Sequence, residues 1–208
     1  PRSSFNAETS KRVDAETTET AEVFENADGT KTALLTQAPK RFRDETGAWR
    51  PIDLDLVVGP DGALRPRAAK DAPVLAARAR GTYLSIPTPQ GSIGIAYPDA
   101  LDVPAAAAHN AARYDDALPG GRDLVAEVLP SGVKESVVIP APGGSPTYTL
   151  ELHLPAGLGA RAGAAGVEIV DGDGAVVAEY SGGIARDSAK TAVGPGAETT
   201  VESRLVGT

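Results

Sequence analysis

The stretch that decides the fold is "NADGTKTALLTQAPKRFRDETGAWRPIDLDL", residues 26–56, in which tight turns alternate with short runs of mixed polarity. Its two turn signals, residues 26–29 and 44–47, each end in glycine, which adopts a positive φ without steric cost. The runs between the turns are too short for helices and have the composition of strands. The stretch therefore predicts consecutive β-hairpins, and Trp49, the only tryptophan, directly follows the second turn.

The same pattern continues along the chain. Gly-Pro-Asp-Gly at 59–62 and Asp-Gly-Asp-Gly at 171–174 are further turn signals, and residues 82–97 alternate in polarity on both sides of a Pro- and Gly-containing loop. Glycine (23 residues) and proline (17 residues) are frequent enough for many turns. We expect an all-β fold, an antiparallel β-sandwich with a disordered N-terminal arm and at most one short helix.

Two segments leave room for alternatives. "PAAAAHNAAR", residues 104–113, begins with proline and is rich in alanine, so it predicts either a short helix or a loop. Residues 199–206 combine β-branched side chains with alternation and predict a last strand. An unpaired strand there would be open to pairing with another segment.

The expected domain organisation has two parts. Residues 1–20 are polar and charged, so they are interpreted as a flexible arm or linker. Residues 21–208 are expected to form one β-sandwich domain, either complete or lacking strands at its C-terminal end.

Composition excludes several functions. The net charge is −8, with basic residues scattered, which argues against a nucleic-acid-binding surface. Without cysteine the chain has neither disulfides nor a Cys-containing zinc site. No apolar run reaches the roughly 20 residues of a membrane-spanning helix, so membrane insertion is not expected.

Residues of catalytic or metal-binding type occur without the spacing that chemistry needs. His109 and His153 lack convergent ligands in the sequence, and Asp171 begins a hairpin turn better than a calcium loop, whose twelfth position would fall on Gly182. Asp123 with the acidic pair at 115–116 could form a paired-carboxylate site for glycoside hydrolysis, but catalysis there is not expected. We therefore expect no catalytic residue, no metal and no cofactor: the protein is not an enzyme.

The order of these phrases resembles a known family. Residues 23–69 are similar to the opening of large secreted Rhs/YD-repeat proteins of actinobacteria, which include polymorphic toxins and wall-associated proteins, many with DNRLRE-type modules, and the resemblance as a whole covers residues 22–188. The first signature comprises Asp44, Gly47, Trp49, Ile52 and Asp53. A second phrase comprises Tyr114, Pro119, Gly120, Asp123, Leu124, Gly132, Val133, Lys134 and Glu135. The resemblance implies that Asp123 fixes a turn before its strand.

The resemblance implies a secreted or cell-surface, non-enzymatic structural module. Its partners would be downstream segments of the same polypeptide or a cleaved fragment of it, which the module would scaffold, present or plug. The alternative is a carbohydrate- or cell-wall-binding module, with Trp49 and Tyr83 as exposed rings that stack on a sugar. In the structural interpretation, Trp49 instead covers the core while its indole N–H reaches a turn carbonyl.

Overall fold

The structure, a computed structural model, describes residues 4–141, 147–187 and 197–206. These residues form antiparallel strands and turns with no helix, so the predicted all-β sandwich class is confirmed. The strands are β1 Lys11–Arg12, β2 Ala21–Glu25, β3 Lys31–Leu35, β4 Arg41–Arg43, β5 Trp49–Pro51, β6 Asp53–Val58, β7 Leu64–Ala68, β8 Val74–Leu75, β9 Thr82–Thr88, β10 Gly91–Ala96, β11 Ala106–Ala108, β12 Ala111–Leu118, β13 Arg122–Leu129, β14 Gly132–Val138, β15 Glu151–His153, β16 Leu158–Ala162, β17 Gly166–Asp171, β18 Val176–Ser181, β19 Gly183–Arg186 and β20 Glu198–Val201.

The chain divides into two compact units. Unit 1 comprises Pro1–Pro87 and Gly94–Leu152, and unit 2 comprises Thr88–Ile93 and His153–Thr208. Unit 1 contains most of the buried side chains.

Unit 1 has the sandwich core. A six-stranded sheet in the order β15-β10-β9-β8-β7-β6 faces a four-stranded sheet in the order β11-β12-β13-β14. Inward-facing residues of β13 alternate with half-exposed ones, as expected for a strand with one face on a core. Tyr83 from the larger sheet and Tyr114 from the smaller one meet edge to face, with ring centroids 5.9 Å apart. Both rings are fully buried, so this contact lies at the centre of the core.

Four hairpins share one turn geometry, and these are the four turns that the sequence predicts. In each, the first residue donates its N–H to the carbonyl of the fifth, and the fourth donates to the carbonyl of the first, at distances between 2.7 and 3.0 Å. The fourth residue is always glycine with φ near +80°: Gly29, Gly47, Gly62 and Gly174. This is a three-residue loop whose last position is left-handed, a common hairpin connection.

The expectation of a helix or loop at residues 104–113 is wrong. Ala106–Ala108 and the start of β12 form a hairpin, in which Ala108 pairs with Ala111 across His109 and Asn110. His109 takes the left-handed φ of 52° that the turn requires. Alanine's helical preference is worth only tenths of a kilocalorie per residue, and pairing with β12 outweighs it.

The segment before β2 is partly paired. β1 pairs with β2, so that Arg12 lies opposite Phe24, and Phe5 packs edge-on against Phe24 at 4.9 Å between ring centroids. β2 and β3 complete a three-stranded sheet in the order β1-β2-β3. The flexibility expected of residues 1–20 stays a prediction.

Unit 2 holds a three-stranded sheet in the order β16-β17-β18 and a two-stranded ribbon, β19–β20. The hairpin expected around 171–174 is confirmed as β17–β18. The last strand, expected over 199–206, is in fact Glu198–Val201 and pairs with β19 of the same chain. Beyond it, the Ser203 hydroxyl donates to the Ser181 carbonyl at 3.2 Å, so this stretch contacts a neighbouring strand end through a side chain.

Candidate functional site

Two contacts hold the Trp49 side chain, one over its ring and one at its indole N–H. The turn at residues 44–48 delivers it to β5 directly opposite Arg43 on β4, whose guanidinium carbon lies 4.3 Å from the indole centroid. The indole N–H donates to the Asp14 carbonyl at 3.3 Å, and Asp14 lies in a turn. The predicted hydrogen bond to a turn carbonyl is confirmed, with the acceptor in the segment expected to be an arm.

The turn before Trp49 also orients a second arginine. The Asp44 carboxylate accepts the Thr46 hydroxyl at 2.6 Å and the Arg50 Nε–H at 2.7 Å, besides two backbone N–H groups. These contacts, the Thr46 hydroxyl first and Arg50 second, lower the pKa of Asp44 below its ordinary value. Arg50 is therefore held on one side by a carboxylate that stays ionised.

Trp49 and Arg50 line a cleft of about 220 Å³, called here the Trp49 cleft. It lies between β1, β2 and the β4–β5 hairpin, all in unit 1. The full lining is Arg12, Glu22, Lys40, Arg41, Trp49, Arg50 and Pro51. Of the charged side chains that line the cleft, Glu22 is acidic and four are cationic, although Asp14 and Asp44 pair with Arg12 and Arg50 from outside the lining.

Tyr83, the other ring proposed from the sequence as a sugar platform, is completely buried. Its hydroxyl donates to Glu135 on β14, and the Tyr97 hydroxyl donates to the other oxygen of the same carboxylate. The Tyr83 ring lies 5.9 Å from both the Tyr97 and the Tyr114 rings. A single carboxylate thus joins the two sheets of the sandwich through two tyrosines.

The tyrosine cluster extends in two directions. Tyr114 donates to the Ala76 carbonyl at 2.8 Å, and burial raises the pKa of its phenol well above the ordinary value. Tyr148 packs edge-on against Tyr97 at 6.5 Å, beneath the buried Arg122 at 5.4 Å. Sequence reasoning missed this cluster because its members come from five separate segments. Tyr114 and Glu135 lie in the second phrase and Tyr83 was a candidate ring, but nothing in the sequence places these residues in contact.

Two of the candidate catalytic residues, Asp123 and His109, lie in unit 1 near charged neighbours. Asp123 receives the backbone N–H of Asp116 at 2.8 Å and an ion pair from Arg113, which together hold the bulge in β12. The contacts of Asp123 thus fix the bulge in β12, not the turn before β13 that the resemblance implies. His109 is exposed on its hairpin turn, with Nδ1 3.9 Å from an Asp55 oxygen, and His153 is exposed on β15.

Within the residues that the structure describes, no group of three or more His, Cys, Asp or Glu side chains is arranged to hold a metal ion. Asp171 takes part in its hairpin turn, where one carboxylate oxygen accepts the N–H groups of Asp173 and Ala175 at 3.0 and 2.9 Å. No helix among the described ranges is long and apolar enough to cross a membrane.

A second groove in unit 1, of about 330 Å³, is lined mainly by aliphatic and proline side chains from β4, β6 and the β13–β14 turn. Arg41 borders both this groove and the Trp49 cleft. The larger groove offers apolar surface and no concentration of like charge.

Large aliphatic side chains are exposed at the open edges of several sheets. Leu35, 78% exposed, lies on the outer strand β3, and Val138 lies on the outer strand β14. In unit 2, Ile184 and Val201 on the β19–β20 ribbon are 57% and 44% exposed. Soluble proteins usually place charge or proline at such edges, so these edges have the character of contact surfaces.

Comparisons with models of protein families, with curated proteins and with solved structures find no match to this chain.

Proposed function

We propose that the protein is a non-enzymatic structural module of a large secreted or cell-surface protein of the Rhs/YD-repeat, polymorphic-toxin type. In this role it pairs with other segments of the same polypeptide, or with a cleaved fragment of it, through the open edges of its sheets. The order and spacing of the sequence phrases described above support the family, and the geometry of the sheet edges supports the mode of action.

The β19–β20 ribbon carries the proposal. Every residue of both strands is exposed, including Ile184 and Val201. A two-stranded ribbon is at best marginally stable in water, whereas a third strand adds main-chain hydrogen bonds and covers apolar side chains. An incoming strand at either edge of the ribbon would bury surface that is otherwise left in water.

The placement of the ionisable groups supports the non-enzymatic part. Glu135 accepts two tyrosine hydroxyls inside the core, and Asp123 holds the β12 bulge through Arg113 and Asp116. Both carboxylates therefore have a structural role within unit 1. An enzyme would need such groups free to exchange protons with a bound substrate.

Substitution of Ile184 tests the docking. We expect Ile184→Lys to leave the thermal unfolding of the separate 208-residue chain unchanged, because the side chain is exposed there. It should weaken association with the rest of the parent polypeptide, supplied as a second piece, by about tenfold or more, because docking would bury an ammonium group.

Leu101→Lys is the matched control. Leu101 is also exposed, at 47%, but lies outside the strands. Equal effects of the two substitutions on association, or no association of the unsubstituted pieces, would contradict docking through the ribbon.

A further inference from the structure

The Trp49 cleft differs in charge from the chain around it. The protein has a net charge of −8, whereas the cleft brings together Arg12, Lys40, Arg41 and Arg50 against the single carboxylate of Glu22. With Asp14 and Asp44, which pair with Arg12 and Arg50 from outside the lining, the local excess is one cation, Lys40.

The ion pairs around the cleft leave one cationic side chain without a carboxylate partner among the described residues. Arg41, nearly buried, pairs with Glu22 at 2.8 Å. Arg12 pairs with Asp14 at 2.6 Å and also lies 3.8 Å from Glu22. Arg50 is engaged by Asp44 through Nε. Lys40 is exposed and has no carboxylate within 4.0 Å in the described part of the chain. Glu22 is therefore neutralised, and Lys40 with the outer nitrogens of Arg50 can receive an anion.

The indole supplies an apolar wall beside these charges. Arg43 lies over one face of Trp49 and does not line the cleft, while the indole itself does. Its N–H is already bonded to Asp14, which fixes the ring. Pro51 adds a second apolar surface. A ligand that fits must present an apolar face to the indole and an anionic group to the cations.

We propose that the Trp49 cleft binds an anionic saccharide, a sugar ring that carries a carboxylate or a phosphate. The C–H face of the sugar packs on the indole, and its anionic group receives hydrogen bonds from Lys40 and the Arg50 guanidinium, which binds carboxylate and phosphate in planar, two-point fashion. This site is independent of docking through the ribbon and goes beyond the structural role.

The size and isolation of the cleft favour a single sugar over a polyanion. At about 220 Å³ it is smaller than the usual range for drug-sized ligands, about 300–1,000 Å³. Nucleic acid needs a row of phosphate contacts and usually a series of stacking rings, whereas this cleft has one indole in an acidic molecule.

Fluorescence titration tests the site, because Trp49 is the only tryptophan and reports on the cleft directly. The probes are glucuronate, glucose 6-phosphate, glucose and inorganic phosphate. We expect a saturable change with at least one charged sugar and none with glucose. A response to glucuronate alone identifies a carboxylate as the preferred anion, and a response to glucose 6-phosphate alone identifies a phosphate.

Two variants locate the binding. Lys40→Gln and Arg50→Gln should each weaken binding of the charged sugar by about tenfold, which corresponds to the loss of one charge-assisted hydrogen bond. Arg65→Gln is the matched control, because Arg65 also pairs with the aspartate of a hairpin turn, at 2.7 and 2.8 Å from Asp61, but lies outside the cleft.

Each of the following results would overturn the proposal: no response to either charged sugar, equal binding of glucose, inorganic phosphate binding as tightly as glucose 6-phosphate, or Arg65→Gln weakening binding as much as Arg50→Gln. Tighter binding of a single-stranded oligonucleotide than of either sugar would likewise reject a saccharide site.

Discussion

Glu135 connects strands that are far apart in the sequence. It lies on β14 and accepts the hydroxyls of Tyr83 on β9 and of Tyr97 after β10, within a half-buried site. Hydrogen bonds to a charged acceptor contribute more to stability than neutral ones, and a low local dielectric strengthens them. This carboxylate therefore fixes the relative position of the two sheets in unit 1.

Removal of one tyrosine hydroxyl tests this role. Tyr83→Phe should lower the free energy of unfolding by about 2 kcal/mol, because Glu135 loses a donor inside the core. Tyr148→Phe is the matched control, since the Tyr148 hydroxyl is buried without a hydrogen-bond partner among the described residues, and its loss should be neutral or stabilising. Urea denaturation measures both, and equal losses would show that the contact with Glu135 is not special.

At the scale of elements, each of the four glycine-terminated turns connects two consecutive strands into a hairpin. The turn after β17 offers an internal comparison, because its two glycines differ in conformation. Gly174 has φ of 82°, whereas Gly172 lies outside the left-handed region, and neither has an atom within 4 Å of an added Cβ. Any difference between their alanine variants therefore comes from backbone conformation alone.

We expect Gly174→Ala to lower the free energy of unfolding by about 1–2 kcal/mol, because an L-residue with a Cβ is strained in the left-handed region. Gly172→Ala should be neutral or raise stability by up to about 1 kcal/mol, because alanine restricts the unfolded chain. Thermal unfolding of the two variants checks this. If Gly172→Ala were the more damaging, the turn geometry assigned here would be incorrect.

The individual elements differ in whether they can be predicted from the sequence. The turns at 26–29, 44–47, 59–62 and 171–174 could be predicted because the last residue of each has a positive φ, which glycine adopts without steric cost. The alanine-rich stretch could not, because its conformation depends on pairing with β12 rather than on propensity. The Tyr83–Glu135 contact could not either, since it joins residues 52 positions apart.

At the scale of the whole molecule, Trp49, Lys40, Arg41 and Arg50 are close in the sequence, but the sequence does not show that Arg12 and Glu22 join them. Arg12 and Glu22 reach the Trp49 cleft from another sheet, so their convergence follows from the tertiary fold. The exposed aliphatic side chains at the sheet edges have the same origin, because edge position is a property of strand order. These edges support the structural role proposed for the protein.

Amide hydrogen exchange of the β19–β20 ribbon tests that role most directly. In the separate chain, the amides of Glu198–Val201 should exchange rapidly, because an exposed two-stranded ribbon opens easily. They should become protected when the rest of the parent polypeptide is present, while the central strand Arg122–Leu129 stays protected in both samples. Protection of the ribbon in the separate chain as strong as that of Arg122–Leu129, or no gain when the rest of the polypeptide is added, would contradict the account.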